Sequence, residues 1–591
     1  MTPVSGRAPG TPVAPKSSQG LPKGVAAGKT TARKPLFAGQ YRALTPVGVL
    51  NFQQIGASGY VLGQIKTAEP PTAQIWRLRY AAAVGALRDG IDKRIRAVVP
   101  GDEGAIASAL ITGKRDAISK ELNDAMYISS LAHVLSISGY HMALVAGFVF
   151  LVFRAGFALL PTFASRYPIK KFAALAAFAV AAFYLVLSGA EVATQRSFIM
   201  LSIVLLAVLL DRTALTLRTL AIAALAVLLL TPEAVVHPSF QMSFAATLAL
   251  VAVYGNGLGW GRPNADDKLH ARVALWGGRE IAALILASLV AGLATTPYAA
   301  YHFHRAAPYG VLANLLAMPI VSLWIMPMGL VAVLMLPFGF DGFFWRLMGE
   351  GIRWMDAVAL WVAGLPGAVG RISAFGIGPL LLGTVGLLLV CLLRTPLRWS
   401  GGIAVVLACV WALATASPDI FVASDGRVVA ARGSDGQLAV VKTGSDSFAV
   451  REWLAADGDA RAPGDASLPE GTKCDAAGCV ARLADGRFVA LALSPEAFAD
   501  DCRRAAVVVT PGNGPSSCQS IVSDRQSRLR TGAVSLRRAG DGFAITPTRA
   551  PGYDRPWAPA VPPITDTEPA PGARPAARDA TPRAEDLEPG D

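Results

Sequence analysis

Long apolar runs restrict the fold of this chain more than any other feature. They recur from residue 133 to residue 416, and most approach the length of about 17–25 residues with which an α-helix crosses a bilayer. This pattern predicts a polytopic α-helical membrane protein. The predicted spans are 133–153, 172–188, 197–210, 217–231, 239–254, 280–300, 311–336, 372–393 and 400–416. A weaker segment, 344–365, is more charged and is assigned to the membrane interface, with a further crossing as the alternative.

Composition agrees with a membrane location and leaves the meaning of the charge open. The chain has 591 residues, of which 53% are hydrophobic and only 16% are charged. Its formal net charge is +13. Basic loops on the cytoplasmic side of a membrane produce such an excess, and so does a basic path for a polyanion. Because the basic residues lie largely in loops and termini, the first explanation is favoured.

The distribution of lysine and arginine predicts the orientation. Basic residues follow the first, third and fifth spans, whereas loops 189–196 and 232–239 hold almost none. The first span is therefore expected to enter from the periplasm. Arg394 and Arg398 should also be cytoplasmic, which requires an even number of crossings after loop 262–279. The region beyond residue 416 is then periplasmic.

The composition also divides the chain into segments. Residues 1–40 and 549–591 are rich in Pro and Ala and are expected to be disordered. Residues 41–130 combine short β-like runs with amphipathic helix patterns, and residues 131–416 hold the transmembrane runs. Residues 417–548 alternate β-like runs with turns and predict a soluble β-rich domain.

Residues 131–147 bring polar side chains into the first apolar run. On a continuous helix, His133, Ser136 and Tyr140 would share one face, with His141 near its edge. Gly139 would let a neighbouring backbone or a ligand approach closely. Polar groups at membrane depth are costly and usually face a bundle interior or a cavity. The alternative is that they serve only helix packing.

The block H-V-L-S-I-S-G-Y-H at 133–141 resembles the signature H-L-L-A-I-S-G-L-H of the ComEC family, bacterial inner-membrane channels proposed for DNA uptake. Ser136 and Tyr140 replace the family's Ala and Leu. Further blocks resemble the family in the same order along the chain. They are G-A-E-V-A-T-Q-R-S-F-I-M at 189–200, P-S-F-Q-M-S-F-A at 238–245, T-T-P at 295–297 followed by Phe303 and His304, and N-L-L-A-M-P at 314–319.

The resemblance implies a channel in the bacterial inner membrane that carries single-stranded DNA toward the cytoplasm. Its small β segment before residue 130 would be an OB-like remnant. No Walker motif is present, so a cytoplasmic DNA-translocating partner or a gradient would supply energy. No enzymatic activity and no cofactor are implied. The candidate channel residues are His133, Ser136, Ser138, Gly139, His141, Glu191, Arg196, Gln241, Ser243, Asn314 and Pro319.

Two other functions remain open at this stage. A transporter of another anionic solute would need similar polar groups. An intramembrane enzyme would use His133 and His141, and its only candidate partners are Glu191 and Ser138. A passage wide enough for a stacked base would favour the channel.

The cysteines of the C-terminal region predict disulfides rather than a metal site. Cys474, Cys479, Cys502 and Cys518 form an even set in one soluble region, as expected in an oxidising periplasm. Their spacing lacks the tight C-x2-C pairs of most zinc sites. Many ComEC proteins carry a metallo-β-lactamase-like domain here, with an H-x-H-x-D-H ligand cluster. All six histidines of this chain lie between His133 and His304, so no such site is predicted.

Overall fold

The computed structural model of the protein describes residues 75–190, 192–212, 216–255, 269–442 and 448–549. The predicted terminal tails and the OB-like remnant lie outside these residues, apart from the first residue of the predicted C-terminal tail. The helices before the membrane region are α1 Ile75–Val98, α2 Gly101–Thr112, α3 Lys120–Ile128 and α4 Ala132–Leu135. The next helices are α5 Gly139–Ala158, α6 Pro161–Arg166, α7 Ile169–Leu187, α8 Val192–Leu209, α9 Leu217–Leu230, α10 Pro238–Gly255 and α11 Leu269–Phe303. They are followed by α12 Gly310–Ile320, α13 Met326–Met335, α14 Asp341–Ala363, α15 Ile377–Leu392 and α16 Arg398–Leu413.

The helices confirm the predicted fold class. Five are long and apolar enough to cross a membrane, namely Gly139–Ala158, Ile169–Leu187, Pro238–Gly255, Gly277–Phe303 and Gly310–Phe338. Four shorter apolar helices coincide with the remaining predicted spans. The span 310–338 includes a π-helical turn, Val321–Ile325, shortly after Pro319. A proline removes one helical hydrogen bond and favours such a local irregularity.

The continuous helix predicted through the first polar block is wrong. Helix α4 ends at Leu135, Ser136 is extended, and α5 begins at Gly139 after Ser138 as its N-cap. Serine is a favourable N-cap because its oxygen can pair with free N–H groups of the first turn. His133 and His141 therefore lie on different helices, and the break exposes backbone groups next to both.

A half-buried cation joins the ends of two helices. The guanidinium of Arg88 donates to the Thr112 carbonyl, with distances of 3.1 and 2.6 Å, and to the Ser188 carbonyl at 3.4 Å. These carbonyls lie at the C-terminal ends of α2 and α7, where a positive charge is stabilising. Gly113 and Gly189 adopt positive φ angles of 77° and 84° there. Arg88 therefore has a structural role.

The early helices share a core with the membrane helices. Ile95, Ile106, Leu110 and Met126 are fully buried, and they pack in one cluster with residues of α5, α13 and α14. Helix α14, the weaker segment of the sequence, buries one face around Trp345 and exposes Trp354 and Trp361. It is therefore amphipathic, with one side in the bundle.

A two-residue β-ladder brings two non-helical segments together at one face of the helix bundle. Strand β1, Arg305–Ala306, pairs antiparallel with β2, Gly370–Arg371. The end of α11 therefore lies beside the segment that follows α14. That segment also contacts the C-terminal domain, because the Ala374 N–H donates to the Ala456 carbonyl at 2.7 Å. The domain thus lies at the face where α11 ends and α15 begins.

The C-terminal region is a sandwich of two five-stranded sheets. Strand order is β10-β9-β8-β7-β6 in one sheet and β12-β11-β3-β4-β5 in the other, with parallel pairing only between β8, β9 and β10. Apolar residues of both sheets share one core. The strands are β3 Ile420–Val422, β4 Val428–Arg432, β5 Leu438–Lys442, β6 Thr472–Cys474, β7 Gly478–Arg482, β8 Phe488–Ala492, β9 Val507–Val509, β10 Ile521–Ser523, β11 Val534–Ala539 and β12 Gly542–Pro547.

Helices cover the outer faces of this sandwich. Helix α17, Phe448–Asp457, packs Trp453 against Phe421, and α18, Phe498–Arg504, lies over the other sheet. A third helix, α19, spans Arg525–Thr531. The structure joins Cys474 to Cys479 across β6 and β7, and Cys502 to Cys518. The first bond joins two neighbouring strands, and the second joins α18 to the segment before β10.

Close packing of α15 against α16 gives a stability prediction. A Cβ atom on Gly401 would lie 2.5 Å from the Gly386 carbonyl oxygen, whereas one on the neighbouring Gly402 would meet nothing within 4 Å. Gly401→Val should therefore lower the free energy of unfolding by about 1–3 kcal/mol through overpacking. Thermal unfolding of the purified protein in detergent measures the change. Gly402→Val is the matched control, and an equal loss in both variants would contradict this packing.

Candidate functional site

Polar side chains from several helix ends meet at the face that carries the C-terminal domain. We call this set the polar cluster. Its members come from the segment before α5, from the first turns of α8 and α10, and from the end of α11. They are Ser138, His141, Thr194, Arg196, His237, Ser239, Gln241, His302 and His304.

The first part of the cluster surrounds the start of α5. The Ser138 hydroxyl lies 3.1 Å from His141 Nδ1, and the Ser138 N–H donates to the same nitrogen at 3.3 Å. Because Nδ1 accepts from the backbone, the proton of the neutral ring is assigned to Nε2. That nitrogen is buried without a hydrogen-bond partner. The arrangement explains the contact of Ser138 with His141 as helix capping and gives the enzyme hypothesis no further support.

His133 lies just outside this helix, in α4. Its Nδ1 donates to the Ser130 carbonyl at 2.8 Å, and the ring is exposed to solvent. Nearby protein nevertheless lowers the pKa of His133 by desolvation, which the hydrogen bond to Ser130 partly offsets. Ser136 donates to the His133 carbonyl at 3.3 Å. Thr194 of α8 reaches the same segment and donates to the Ile137 carbonyl at 3.4 Å.

The predicted close approach at Gly139 involves α8. A Cβ atom on Gly139 would lie 3.6 Å from the Ser197 hydroxyl oxygen, which is ordinary contact. One residue later, the Tyr140 hydroxyl forms a hydrogen bond with the Ser322 hydroxyl. Ser322 belongs to the π-helical turn and also donates to the Met318 carbonyl at 2.6 Å. The first polar block therefore contacts two separate helices.

Arg196 connects α8 with the start of α10. Its Nη2 donates to the Ser239 hydroxyl at 2.8 Å, and Ser239 in turn donates to His237 Nδ1 at 2.7 Å. The Arg196 side chain is only 6% exposed, and its Nη1 has no hydrogen-bond partner. Burial and the Arg196 cation lower the pKa of His237. No carboxylate among the described residues pairs with Arg196, and Glu191 lies outside them.

Gln241 connects α10 with the end of α11. Its amide nitrogen donates to the Val235 carbonyl at 3.0 Å, so its oxygen faces His302 Nε2 at 2.8 Å. His302 therefore donates this hydrogen bond. His304, two residues later, has a positive φ of 56° and is 5% exposed. Its carbonyl accepts from the Ile372 N–H at 3.1 Å, which ties the cluster to β2.

Two arginines extend the positive charge toward the C-terminal domain. Arg305 and Arg371 are direct partners in the ladder. Burial and the nearby Arg305 cation lower the pKa of Arg371, and Asp459 partly opposes this effect. Arg371 Nη2 donates to the Ala460 carbonyl at 3.2 Å. The contact places the domain against the cationic edge of the cluster.

The structure brings together only some of the predicted site residues. Four of them belong to the polar cluster, namely Ser138, His141, Arg196 and Gln241. His133 lies outside it, in α4. Ser243 lies one turn beyond Ser239 and is exposed. Asn314 lies on α12, with its Oδ1 buried and unpaired. Within the described ranges, no three His, Cys, Asp or Glu side chains come together as metal ligands would.

Sequence reasoning missed His237, Ser239, His302 and the ladder arginines. One signal was available, because all six histidines of the chain lie between His133 and His304. A restricted histidine distribution in a membrane protein indicates a shared polar environment. Ser239 also belongs to the block in which only Gln241 and Ser243 were selected.

The fold and the cluster define a polytopic helical membrane protein whose disulfide-bonded β domain lies beside a polar site at the helix ends. Residues 110–397 match the family described as Competence protein. Over these residues the chain is similar to competence proteins of the ComEC type, the family that its sequence motifs resemble.

A curated relative supports the same assignment. The "ComE operon protein 3" of Bacillus subtilis (strain 168) is 24% identical over 293 residues. This match covers 49% of the chain and 34% of the relative, so it spans about a third of the relative's length. No solved structure matches the chain significantly.

His304 gives a prediction on pH. Burial, followed by His302 and opposed in part by the Ala300 carbonyl, lowers the pKa of His304 from 6.5 to about 4. The unfolded ring binds a proton below pH 6.5, whereas the folded ring stays neutral until about pH 4. Folding is therefore expected to lose stability as the pH falls through this interval. Thermal unfolding at several pH values measures the loss.

The control for this prediction is His304→Asn. Asparagine tolerates a positive φ angle and does not titrate. The variant should lose less stability than the wild type between pH 6.5 and about 4. An identical pH dependence in both proteins would show that His304 is not the titrating group.

Proposed function

We propose that this protein acts in DNA uptake and passes single-stranded DNA across the bacterial inner membrane toward the cytoplasm. The buried, partly unpaired donors of the polar cluster carry this proposal, and the match of residues 110–397 to the competence protein family supports it.

The free groups of the cluster suit a polyanion. Arg196 Nη1 and His141 Nε2 are buried N–H donors without a partner. A phosphodiester strand offers many acceptor oxygens and a negative charge, which an arginine binds well. A buried donor gains most when such an acceptor arrives, because the donor is otherwise left unsatisfied. The first contact of the strand would therefore be with α5 and α8.

The charge distribution supports a periplasmic position for this face. Two loops on the cluster's side, 189–190 and 231–237, hold no lysine or arginine, whereas the ladder at this face holds Arg305 and Arg371. The adjoining domain contains the disulfides. Basic residues concentrate at the opposite helix ends, as expected on a cytoplasmic side. These are Arg154, Arg166, Lys170, Lys171, Arg212, Arg218, Arg279, Arg394 and Arg398.

An apolar layer lies one helical turn deeper than the cluster. Ala245 follows Gln241 by one turn on α10, and Tyr298 precedes His302 by one turn on α11. Both pack with Ala294 and Leu380. A charged strand does not cross such a layer without separation of the helices. We therefore infer that the described state is closed and that a cytoplasmic partner or a gradient drives opening and transport. Small alanine side chains leave the helices free to slide or separate.

Reporter fusions test the orientation. Alkaline phosphatase fused after Thr415 should be active, because the enzyme requires the periplasm, and the same fusion after Thr395 should be inactive. A green fluorescent protein at the same two sites should give the inverse pattern. The reversed result at both sites would place the C-terminal domain in the cytoplasm and contradict the proposal.

Variants of the cluster test the transport role. Arg196→Gln should lower transformation roughly 10- to 100-fold, because a lost charged hydrogen bond costs about 1.5–3 kcal/mol. His141→Ala and His133→Ala should also lower it. Uptake of labelled DNA is measured in a competent host whose own copy is replaced by this chain, together with the amount of protein in the membrane.

Arg154→Gln is the matched control for the arginine. Arg154 is exposed near the opposite end of the bundle, and its removal changes the net charge equally. It should leave uptake unchanged. Normal DNA uptake in the Arg196, His141 and His133 variants, with normal amounts of protein in the membrane, would contradict the role assigned to the polar cluster.

A further inference from the structure

A second site lies at the opposite ends of the helices. A cavity of about 1400 Å³ separates α8, α9 and α10 from α11, α15 and α16. It is larger than the ~300–1,000 Å³ of most small-ligand pockets. Its inner end lies near Tyr298, whose hydroxyl is 3.1 Å from the Thr384 hydroxyl. Its outer end lies where α8, α10 and α15 finish and α9 and α16 begin.

Four arginines surround the outer end of this cavity, namely Arg212, Arg218, Arg394 and Arg398. All four are exposed, and none forms an ion pair with a carboxylate in the described part of the chain. The rule for basic cytoplasmic loops explains their side of the membrane but not their convergence on one opening. Arg154, Arg166 and Arg279 share that side and do not line the cavity.

The walls between the arginines and Tyr298 are apolar. They include Leu206, Ile222, Val251, Leu293 and Val390. Leu206 and Leu293 are 53% and 66% exposed, so the cavity is open rather than filled by protein. A nucleic acid strand would lose its hydration against these side chains without gaining hydrogen bonds. The walls instead suit hydrocarbon, and the rim suits an anion.

We propose that this cavity binds an anionic glycerophospholipid from the inner leaflet. Its phosphate contacts Arg394, Arg398, Arg212 and Arg218, and its acyl chains lie against the aliphatic walls. Guanidinium groups bind phosphate by paired hydrogen bonds, and basic pockets between membrane helices are suited to anionic head groups. The amphipathic shape of the cavity selects a lipid over a free anion, since phosphate alone would leave the walls in contact with water.

Native mass spectrometry of the full chain tests the proposal. The protein is purified from nanodiscs of phosphatidylcholine that contain a minority of phosphatidylglycerol, and retained phosphatidylglycerol is counted per chain. The wild type should retain a bound molecule after mild delipidation. Each arginine replaced by glutamine should lower retention about fivefold. One basic residue near an anionic lipid surface contributes about 1 kcal/mol of binding free energy, which corresponds to this change in affinity.

Two variants separate the cavity from general surface charge. The quadruple variant Arg212→Gln, Arg218→Gln, Arg394→Gln, Arg398→Gln should lose the lipid. The matched variant Arg154→Gln, Arg166→Gln, Lys170→Gln, Arg279→Gln removes the same charge outside the cavity and should keep it. Val251→Trp places a large ring against the cavity wall with the arginines intact and should lower lipid retention, while size-exclusion chromatography confirms folding.

Three results would overturn the proposal. Equal loss in both quadruple variants would mean that lipid binds by diffuse charge. Phosphatidylglycerol retention in Val251→Trp equal to that of the wild type would mean that the cavity is not the site. Displacement of phosphatidylglycerol from the wild type by inorganic phosphate or by an oligothymidine would identify a free-anion site or a nucleic acid site instead. None of these results bears on the uptake assay, since the cavity and the polar cluster lie at opposite helix ends.

Discussion

A bilayer offers no hydrogen-bond partner to a free peptide group, and this constraint decides where the chain can leave the helical conformation. Helix ends and breaks therefore need protein partners of their own. Ser138 supplies one at the start of α5, and Arg88 supplies another for the last carbonyls of α2 and α7. The two-residue ladder of β1 and β2 does the same after α11. Polar side chains gather at these places because backbone groups there require them.

The polar cluster has both a structural and a functional explanation, and they are compatible. His141 Nδ1 accepts hydrogen bonds at a helix start, and Ser239 connects Arg196 with His237. These contacts use only one side of each ring or guanidinium. The other side of His141 and of Arg196 stays buried and unpaired. A side chain held by one edge is preorganised to bind a passing ligand with the other.

The hydropathy of the sequence was sufficient to predict the membrane helices, because the bilayer requires a similar length and an apolar composition of every span. The predicted runs coincide with described helices, and the short β runs after residue 417 coincide with strands. The break between Leu135 and Gly139 was not predicted, since the apolar run continues through it. Ser138 followed by a polar residue three positions later was a capping signal within that run.

The sequence could not predict the contacts within the site, because these contacts join residues that are far apart along the chain. Arg196 and Ser239 are separated by 43 positions, and Gln241 and His302 by 61. Periodicity on one helix cannot indicate such pairs, because they depend on which helices become neighbours. The family resemblance selected Arg196 and Gln241 as polar members of two separate sequence blocks, yet it gave no reason to join them to His237 or His302. Glu191 lies outside the described residues, so its part in the site stays a prediction.

The hydrogen bond between Tyr140 and Ser322 has a consequence for how these sequences vary. Where this chain has Tyr140, the family signature has leucine, which cannot make that bond. A lone hydroxyl at position 322 would then pair only with the Met318 carbonyl of its own helix. Residues 140 and 322 should therefore covary among related sequences. An alignment that shows this covariation would indicate, without coordinates, that α5 contacts the π-helical turn at this position.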